Sequence, residues 1–532
     1  MKKYLPIISI IILGLFLRLY HNTSISLWHD EAFSALLIKY PWSEMMYRIG
    51  LDVHPPAYYI LLRVWNYIFS DSLLSLRLFS VLFGVSAIWA MWLLVRVIFK
   101  SQSLAIISAL LLAINPFQIQ YATEARMYTM GVFFTLLASY FTVQVLQHWH
   151  KLEEISLSGI PYQPEVKKLR VKMFWHWLGM VGSLVIMLYT HYYLMFSVIA
   201  IGLFFAVYLF SHRLSSVWKK CWLLVITALS IGLAFLPWLN IFVYQFKQVG
   251  SGYWIPPMDK WSIPTTLYSL LLGFSYDIHT PQVKILLTIF TLAFGIVVYK
   301  FLTQTINFYK WLILLVALAP FAGSVLFLVL AKAKGSDSSV FLVRYFVFTS
   351  PFLTIILTVW LTQIKRKVLA KLCIVIYASL CLMAFYRYWD NVHIETRPGM
   401  AKAVKYIQAN WQTKDKLYSA NSGMFFNLKY YLNQTFSTTA PIPNLLLYTN
   451  GVRSIQGLPH YAGTAILENK DIIFDLNSNT QPGDVIWLVW TNGFWSSKPT
   501  IPNNWLQLNE QAFPEVRPHL GTSVFVTEYR VN

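Results

Sequence analysis

Two neighbouring carboxylates stand shortly after the first apolar segment of the chain. Asp30 and Glu31 follow Trp28 and His29 in the sequence WHDE. A carboxylate can act as a general base that accepts a proton from an attacking hydroxyl, and it can also bind a metal ion. Asp also caps the first turn of many helices, and for Asp30 the two roles are compatible. The pair therefore predicts a catalytic base, a helix start, or both.

A second group of polar residues precedes two consecutive prolines. Asp52 and His54 stand two residues apart, directly before Pro55 and Pro56. The prolines restrict the backbone and favour a helix start, which would hold His54 in a defined place. A carboxylate and an imidazole at this spacing are suited to a shared divalent metal ion. A turn that begins a helix without any metal is the alternative interpretation.

Later positions bear polar side chains, among them arginines that are suited to phosphate. Glu124, Arg126 and Tyr128 stand in the sequence EARMY, while His191 and Arg344 stand at junctions between later apolar segments. The planar guanidinium of arginine offers paired hydrogen-bond donors that match a phosphate group. The alternatives are an arginine that reaches the lipid headgroups or pairs with Glu124, and a histidine that belongs to an aromatic belt.

The elements that must position these residues are apolar. Of 532 residues, 57% are hydrophobic and 12% are charged, about half of the roughly 25% typical of soluble proteins. This composition excludes a disordered chain, a coiled coil and an ordinary cytosolic enzyme, and it indicates a protein that crosses a membrane several times. The three cysteines stand in apolar segments and fit neither a metal cluster nor a disulfide framework. The sequence contains no glycine-rich nucleotide-binding loop.

Apolar segments of suitable length predict eleven membrane-spanning helices. They cover residues 4–20, 74–99, 103–120, 128–147, 173–190, 193–210, 221–238, 283–301, 311–331, 345–363 and 369–388. The loops assigned to the cytoplasm hold eighteen basic and three acidic residues, which accounts for most of the net charge of +20. Because cytoplasmic loops collect Lys and Arg, this asymmetry predicts a cytoplasmic N-terminus and an extracytoplasmic C-terminus. It also explains the basic net charge without any nucleic acid as a partner.

This topology places every candidate residue on the outer side of the membrane, although they come from five separate parts of the chain. Residues 21–73 are too polar to cross the membrane and predict one or two helices that lie on its surface. We therefore expect the carboxylates, histidines and arginines to converge at the outer membrane face.

The composition changes again after the last apolar segment. Residues 390–532 have nearly balanced charge and frequent Pro, Asn and Gly residues. They predict a small α/β domain with a helix at 397–411 and strands at 484–490 and 523–529. The expected domains are a transmembrane module at residues 1–389 and this extracytoplasmic domain.

The ordered set of motifs resembles the GT-C membrane glycosyltransferases, specifically the family 39-like branch of protein mannosyltransferases and aminoarabinose transferases. The motifs are WHDE at 28–31, HPPAYYILLRVW at 54–65, EARMY at 124–128, LYTHYY at 188–193, PW at 237–238 and RY at 344–345. The resemblance extends over roughly residues 1–350, with a comparable extracytoplasmic C-terminal domain. It implies an α-helical polytopic fold of the GT-C type.

The resemblance also implies a sugar donor linked to polyprenyl phosphate and transfer at the outer membrane face. The acidic residue of the family's first outer loop corresponds to Asp30, with Glu31 beside it, and the donor-pocket residues correspond to His54 and Arg126. Aminoarabinose transferases have Lys where this chain has His54, which weakens an assignment to aminoarabinose or lipid A. No outer loop before Asp390 has room for the central domain of eukaryotic protein mannosyltransferases, so a protein acceptor is not favoured.

The combined hypothesis is a glycosyltransferase of the plasma (inner) membrane that transfers a hexose or pentose to a hydroxyl of an acceptor glycan, glycolipid or other envelope molecule. Asp30 is the expected general base, the anomeric carbon is inverted, and basic groups stabilise the phosphate leaving group. The residues assigned to the donor phosphate and sugar are His54, Glu124, Arg126, Tyr128, His191 and Arg344. A divalent metal ion on Asp52 and His54 is the one cofactor considered. The alternatives are a lipid-linked sugar flippase or transporter and a catalytically inactive scaffold.

Overall fold

The computed structural model of the protein describes residues 4–157, 164–212, 216–250, 254–273, 280–333, 335, 339–391, 399–436, 441–493, 496–514 and 523–532. The helices are α1 (Leu5–Leu19), α2 (His29–Leu37), α3 (Trp42–Leu51), α4 (Ala57–Phe69), α5 (Leu73–Phe99), α6 (Gln102–Ala113), α7 (Pro116–Ala122), α8 (Tyr128–Leu157), α9 (Pro164–Thr190), α10 (Leu194–Ser211), α11 (Val217–Phe235), α12 (Leu239–Gly250), α13 (Ser262–Leu272), α14 (Pro281–Gln304), α15 (Lys310–Ala333), α16 (Ser350–Gln363), α17 (Lys367–Asn391), α18 (Gly399–Asn410) and α19 (Ser422–Phe436). The strands are β1 (Lys416–Ser419), β2 (Leu445–Tyr448), β3 (Ile472–Ile473), β4 (Val485–Thr491), β5 (Trp505–Pro514) and β6 (Ser523–Val531).

The helical architecture is that of a multi-pass membrane protein. Within the described residues, eight helices are long and apolar enough to cross a membrane, and the bent pair of α6 and α7 makes nine if it is one span. Each of the eleven predicted spans coincides with an apolar helix or, at 103–120, with this bent pair. Two of these helices, α1 and α16, have only 15 and 14 residues and are shorter than a typical membrane-spanning helix. The predicted fold class, an α-helical protein that crosses the membrane several times, is therefore confirmed. The count of eleven spans and the orientation stay predictions.

A buried arginine near the end of α1 joins three helices. Nη1 of Arg18 donates to the carbonyl oxygens of Gly14 and Ala113, at 3.0 Å in both cases. Gly84 on α5 leaves room for the side chain, because a Cβ there would lie 3.1 Å from Nε of Arg18. Ala113 is the last residue of α6, so the arginine satisfies a carbonyl that the helix itself cannot pair.

The bend of 58° between α6 and α7 follows from the local sequence. The side chain of Asn115 accepts a hydrogen bond from the backbone N–H of Gln118 at 2.9 Å and caps α7, while Pro116 occupies the first helical position. Asn115 Nδ2 donates to the carbonyl of Leu270 at 3.0 Å, and Gln118 Nε2 donates to that of Val347 at 2.9 Å. The bent helix is therefore anchored to two segments that are distant in sequence.

The internal contacts divide the chain into two units. Unit 1 comprises Met1–Tyr20, His54–Tyr58 and Arg77–Phe385. Unit 2 comprises His21–Val53, Tyr59–Leu76 and Tyr386–Asn532. Most of the segment 21–73 thus groups with the C-terminal residues. The domain boundaries proposed from the sequence, 1–389 and 390–532, stay a prediction.

Unit 2 contains a six-stranded sheet in the order β3-β2-β1-β4-β6-β5. The first four strands pair in parallel, whereas β6 pairs antiparallel with β4 and with β5. The helix predicted at 397–411 is α18, residues 397 and 398 lying outside the described residues, and the strands predicted at 484–490 and 523–529 are β4 and β6. The predicted small α/β fold of this part of the chain is confirmed.

The segment 21–73 forms three helices, α2, α3 and α4, where the sequence predicts one or two. Prolines explain the additional break. Pro41 directly precedes α3, and Pro55 and Pro56 precede α4. A proline ring disrupts a continuing helix but suits the start of the next one, so each proline site separates two helices.

Hydrogen bonds and ion pairs attach these helices to the C-terminal residues of unit 2. The backbone N–H of Leu27 donates to the hydroxyl of Tyr431 at 2.9 Å. The guanidinium of Arg48 on α3 pairs with Glu44 at 2.7 Å and with Glu468 at 2.6 Å. Residues separated by about 400 positions in sequence are thus held in one compact unit.

Gly463 offers a test of the packing in unit 2. Its φ is +82°, and a Cβ there would lie 2.1 Å from a ring atom of Phe426. We expect Gly463→Ala to lower the free energy of unfolding by about 2–5 kcal/mol, because overpacking adds to left-handed backbone strain. Gly451→Ala is the matched control, since φ is +89° there and nothing lies within 4 Å. Thermal unfolding of the two detergent-solubilised variants measures the loss of stability. An equal loss in both would contradict the steric clash with Phe426.

Candidate active site

Ser80 on α5 connects two of the sequence motifs in unit 1. Its Oγ donates to the carbonyl oxygen of Arg126 at 3.1 Å and accepts from the hydroxyl of Tyr58 at 3.2 Å. Thr129 Oγ1 donates in turn to the carbonyl of Ser80 at 2.7 Å. Ser80, Tyr58 and Thr129 are fully buried. The EARMY loop and the segment that begins at His54 are therefore attached to the same turn of α5.

The side chain of Arg126 is held next to His54. Arg126 is only 2% exposed, and its Nη2 lies 3.4 Å from Nε2 of His54, which accepts the hydrogen bond when the imidazole proton is on Nδ1. Pro55 and Pro56 restrict the backbone that follows His54. A guanidinium keeps its charge even when it is buried. The pair therefore supplies a fixed positive charge beside a histidine.

His191 lies between the end of α9 and the start of α10. Its Nδ1 accepts a hydrogen bond from the backbone N–H of Tyr193 at 3.1 Å, so the ring proton is on Nε2. His191 is 5% exposed, and Nε2 has no hydrogen-bond partner among the described residues. The ring centroid lies 5.7 Å from that of His54, 6.2 Å from that of Tyr128 and 4.9 Å from that of Tyr345. His191 thus contributes a buried N–H donor beside the pair formed by Arg126 and His54.

Arg344 reaches the same neighbourhood from a short helical turn, Val343–Phe346, that precedes α16. Its Cζ lies 5.5 Å from the ring centre of Trp254 and 6.0 Å from that of Tyr345, both within the range of cation–π attraction. Tyr345 contacts His191 on the adjoining side. The aromatic rings therefore hold a second guanidinium close to His191.

We refer to His54, Arg126, His191 and Arg344 as the basic cluster. Burial is the largest cause that lowers the pKa of His191 well below its ordinary value. Electrostatic interactions with His54 and with the positive charges of Arg126 and Arg344 lower this pKa further. The cluster thus combines two permanent charges with a neutral imidazole donor, an arrangement that suits a phosphate group.

Glu124 and Tyr128, also predicted to bind the donor, flank Arg126 in the chain. The carbonyl of Glu124 accepts from the backbone N–H of Arg126 at 2.7 Å, and Glu124 is half-buried. Tyr128 is buried at the start of α8, with its ring 5.0 Å from that of Tyr121 and 6.2 Å from that of His191. Tyr128 therefore packs against the basic cluster, while the backbone of Glu124 shapes the loop that carries Arg126.

Asp30 and Glu31 belong to unit 2, in the first turn of α2. Glu31 is fully buried, and its Oε2 accepts a hydrogen bond from the backbone N–H of Trp28 at 3.3 Å, as in a capping box. Asp30 is partly exposed. The helix cap thus accounts for Glu31, and Asp30 is the better candidate for proton transfer. Both catalytic roles stay predictions.

The two residues of the predicted metal pair, Asp52 and His54, belong to different units. Asp52 directly follows α3 and belongs to unit 2, whereas His54 belongs to unit 1. Among the residues that the structure describes, no group of three or more His, Cys, Asp or Glu side chains could hold a metal ion. The positive guanidinium of Arg126 beside His54 also disfavours a second cation on that imidazole. The metal pair stays a prediction, and we assign it no role in the reaction.

Two residues that position the basic cluster stand outside the sequence motifs. Ser80 anchors the Arg126 loop, and Trp254 stacks under Arg344. Small polar residues are common at contacts between membrane helices, so a serine in an apolar helix gives only a weak signal. Trp254 follows a polar connection, where aromatic residues are also common at the membrane interface.

Comparison with known proteins identifies the fold. Residues 53–160 match the family model of dolichyl-phosphate-mannose-protein mannosyltransferases. No curated protein sequence matches the chain. ArnT from Cupriavidus metallidurans bound to undecaprenyl phosphate is similar in structure, with a TM-score of 0.54 and 12% identity over 98% of this chain and 97% of that chain. ArnT in the apo state gives a TM-score of 0.53 and 12% identity, over 91% and 92% of the two chains. The chain has the GT-C fold.

These matches confirm the resemblance to the mannosyltransferase and ArnT type of protein, and with it the predicted enzyme class, a membrane glycosyltransferase. The segment matched by the family model contains His54, Tyr58, Ser80 and Arg126. Tyr58 and Arg126, which Ser80 joins by hydrogen bonds, therefore both lie within the segment that matches the family model. The likeness to ArnT, at 12% identity, concerns the fold.

The protonation state of His191 can be tested directly. We expect a neutral imidazole with its proton on Nε2 at about pH 6, because burial and positive neighbours hold its pKa well below the ordinary value of about 6.5. Histidine ¹⁵N spectra of the detergent-solubilised protein, assigned with His191→Asn, report the state. Arg126→Gln removes one positive neighbour and is expected to raise this pKa. A His191 signal that titrates with the ordinary histidine pKa of about 6.5 would contradict the described burial.

Proposed function

We propose that the protein transfers a sugar from a polyprenyl-phosphate donor to an acceptor hydroxyl at the extracytoplasmic face of the plasma membrane, with inversion at the anomeric carbon. The observation that carries the proposal is the basic cluster, built around the contact between buried Arg126 and half-buried His54. The structurally similar ArnT has been solved with undecaprenyl phosphate bound, which supports a lipid phosphate as the ligand of this chain as well.

The basic cluster is suited to the leaving group of such a reaction. When the bond between the anomeric carbon and the phosphate oxygen breaks, negative charge grows on the phosphate. Arg126 and Arg344 supply permanent positive charge in a unit made mostly of apolar helices, where electrostatic stabilisation is stronger than in water. His191 adds a neutral N–H donor. Stabilisation of the developing charge lowers the barrier more than it strengthens donor binding.

Asp30 is our candidate for the general base. Its carboxylate would accept the proton of the acceptor hydroxyl while the hydroxyl oxygen forms a bond to the anomeric carbon and the polyprenyl phosphate leaves. One displacement at that carbon inverts its configuration. The partial exposure of Asp30 is compatible with an acceptor that arrives from solvent. Glu31 would hold the first turn of α2 in place.

The charge distribution of the chain supports the proposed orientation. The loops that the predicted eleven-span topology assigns to the cytoplasm hold most of the excess basic residues, which is the pattern of cytoplasmic loops. The loop that carries Arg126 would then face the extracytoplasmic side. An acceptor on that side is a component of the cell envelope, such as a glycan or a glycolipid.

Removal of the Arg126 charge tests the donor site. We expect Arg126→Gln to weaken binding of undecaprenyl phosphate about 10- to 100-fold, because charge-assisted hydrogen bonds contribute roughly 1.5–3 kcal/mol each. Native mass spectrometry or a ligand-dependent thermal shift measures the affinity. Arg96→Gln is the matched control, because Arg96 stacks on Trp92 and lies outside the basic cluster. Equal affinities of the two variants would remove Arg126 from the donor site.

Substitution of Asp30 tests the proposed base. We expect Asp30→Asn to lower the rate of sugar transfer by about 10²- to 10⁴-fold while undecaprenyl phosphate still binds, because only proton transfer is impaired. Release of polyprenyl phosphate from a polyprenyl-phosphate sugar is the measurement. Asp475→Asn, in a surface turn of unit 2, is the control. Full activity of Asp30→Asn would reject the proposal for this residue.

The flippase alternative predicts a different result in vesicles that contain the protein. Movement of the intact donor between the two leaflets of the vesicle membrane, without release of the sugar, would favour it.

A further inference from the structure

Unit 2 contains a cleft beside the end of α2. The cleft has a volume of about 230 Å³. Its lining combines apolar side chains with a polar rim and consists of Leu36, Lys39, Tyr40, Pro41, Phe426, Lys429, Asn433 and Ile466. Leu36, Phe426 and Ile466 are buried, whereas Lys39 is exposed. The cleft therefore has an apolar base and cationic groups at its edge.

Carboxylates outside the lining of the cleft hold its two lysines. Lys39 Nζ pairs with Asp71 at 2.6 Å, and Lys429 Nζ pairs with Asp471 at 3.3 Å. An ammonium group has three donors, so each lysine can bind an anion in the cleft while it keeps its carboxylate partner. The ion pairs also restrict the lysine side chains, which lowers the entropy lost when an anion binds.

Tyr40 is fixed as well. Its hydroxyl donates to the carbonyl of Ile466 at 3.4 Å, and the guanidinium of Arg48 lies 4.1 Å from its ring centre. A held aromatic ring next to apolar side chains offers a flat surface to the C–H face of a sugar. The volume is below the roughly 300 Å³ at which pockets for drug-sized ligands begin, and it suits one sugar ring.

The cleft is connected to the predicted base by α2. Leu36 stands six residues after Asp30, a distance of about 9 Å along a helix that rises 1.5 Å per residue. The ring of Phe426, which lines the cleft, lies 5.2 Å from that of His29 and 6.2 Å from that of Phe33. A ligand in the cleft would thus lie one aromatic ring away from the residue that precedes Asp30.

We propose that this cleft binds an acidic sugar, one that carries a carboxylate or phosphate group, and that this sugar belongs to the acceptor. Lys39 and Lys429 bind the acidic group, Tyr40 and the apolar base contact the ring, and Asn433 offers an amide to a hydroxyl. The assignment to the acceptor rests on the proposed glycosyltransferase function. The binding site itself is defined by unit 2 alone.

Direct binding to the full-length, detergent-solubilised protein tests the inference. Methyl β-glucuronide and methyl β-glucoside form a matched pair that differs only in the carboxylate, and saturation-transfer NMR titration compares their affinities. We expect the glucuronide to bind about tenfold more tightly, as two charge-assisted contacts allow. Glucose 6-phosphate is expected to share this preference over the glucoside. Inorganic phosphate is expected to bind more weakly than either, because it lacks the ring.

Substitution of both lysines locates the site. The Lys39→Gln/Lys429→Gln variant is expected to lose the tenfold preference, and Lys39→Arg/Lys429→Arg is expected to retain it. Lys416→Gln is the control, because Lys416 pairs with Asp484 at 2.7 Å in the same unit but does not line the cleft. Thermal unfolding checks that each variant is folded.

The outcomes separate this inference from the proposed function. Equal affinity of glucuronide and glucoside in the unsubstituted protein, or a preference that survives the double Gln substitution, would overturn the inference. Binding of inorganic phosphate as tight as that of the glucuronide would reduce the cleft to an anion site and overturn it too. If sugar release from the donor fails while the lysine-dependent preference holds, the proposed transferase reaction fails and the acidic-sugar site stands.

Discussion

A buried positive charge on Arg126 is the constraint on which the candidate site depends. A guanidinium cannot readily lose its proton, so its burial among apolar helices is unfavourable unless neighbouring groups hold it in place. His54 supplies one contact to the side chain, and Ser80 fixes the backbone of the loop. The same serine also binds Tyr58, which belongs to the His54 segment. The polar contacts that hold the charge are therefore the contacts that assemble the motifs.

Division of the chain into two units separates the candidate chemistry into two parts. Unit 1 brings the basic cluster together through aromatic and hydrogen-bond contacts around His191. Unit 2 attaches α2 to the C-terminal residues, so the helix that carries Asp30 also borders the lysine-lined cleft. A segment that stands early in the sequence thus becomes part of a unit that is otherwise C-terminal. Recognition of an acceptor and proton transfer could in this way share one short helix.

Much of the fold follows from local sequence patterns. Hydropathy locates the apolar helices, because a sufficiently long apolar segment is the main local requirement for a membrane span. Strands β4 and β6 follow from β-branched and aromatic runs. The bend after α6 and the third helix in 21–73 depend on Asn and Pro residues, whose effects on helix ends are also local. Local patterns do not explain why Glu31 is fully buried while Asp30 is partly exposed, since the two residues are both acidic and adjacent in the first turn of α2.

Composition and local patterns alone indicate a multi-pass membrane protein, a small α/β part and residue types that are suited to phosphate chemistry. It also indicated the GT-C fold through the order of its motifs. The contact of His54 with Arg126, 72 residues later, and the connection that Ser80 makes between their segments are seen only in the folded protein. The same holds for the cleft between α2 and α19. Hydropathy and proline effects act within one segment, whereas a hydrogen bond between distant residues exists only once the helices that carry them have packed together.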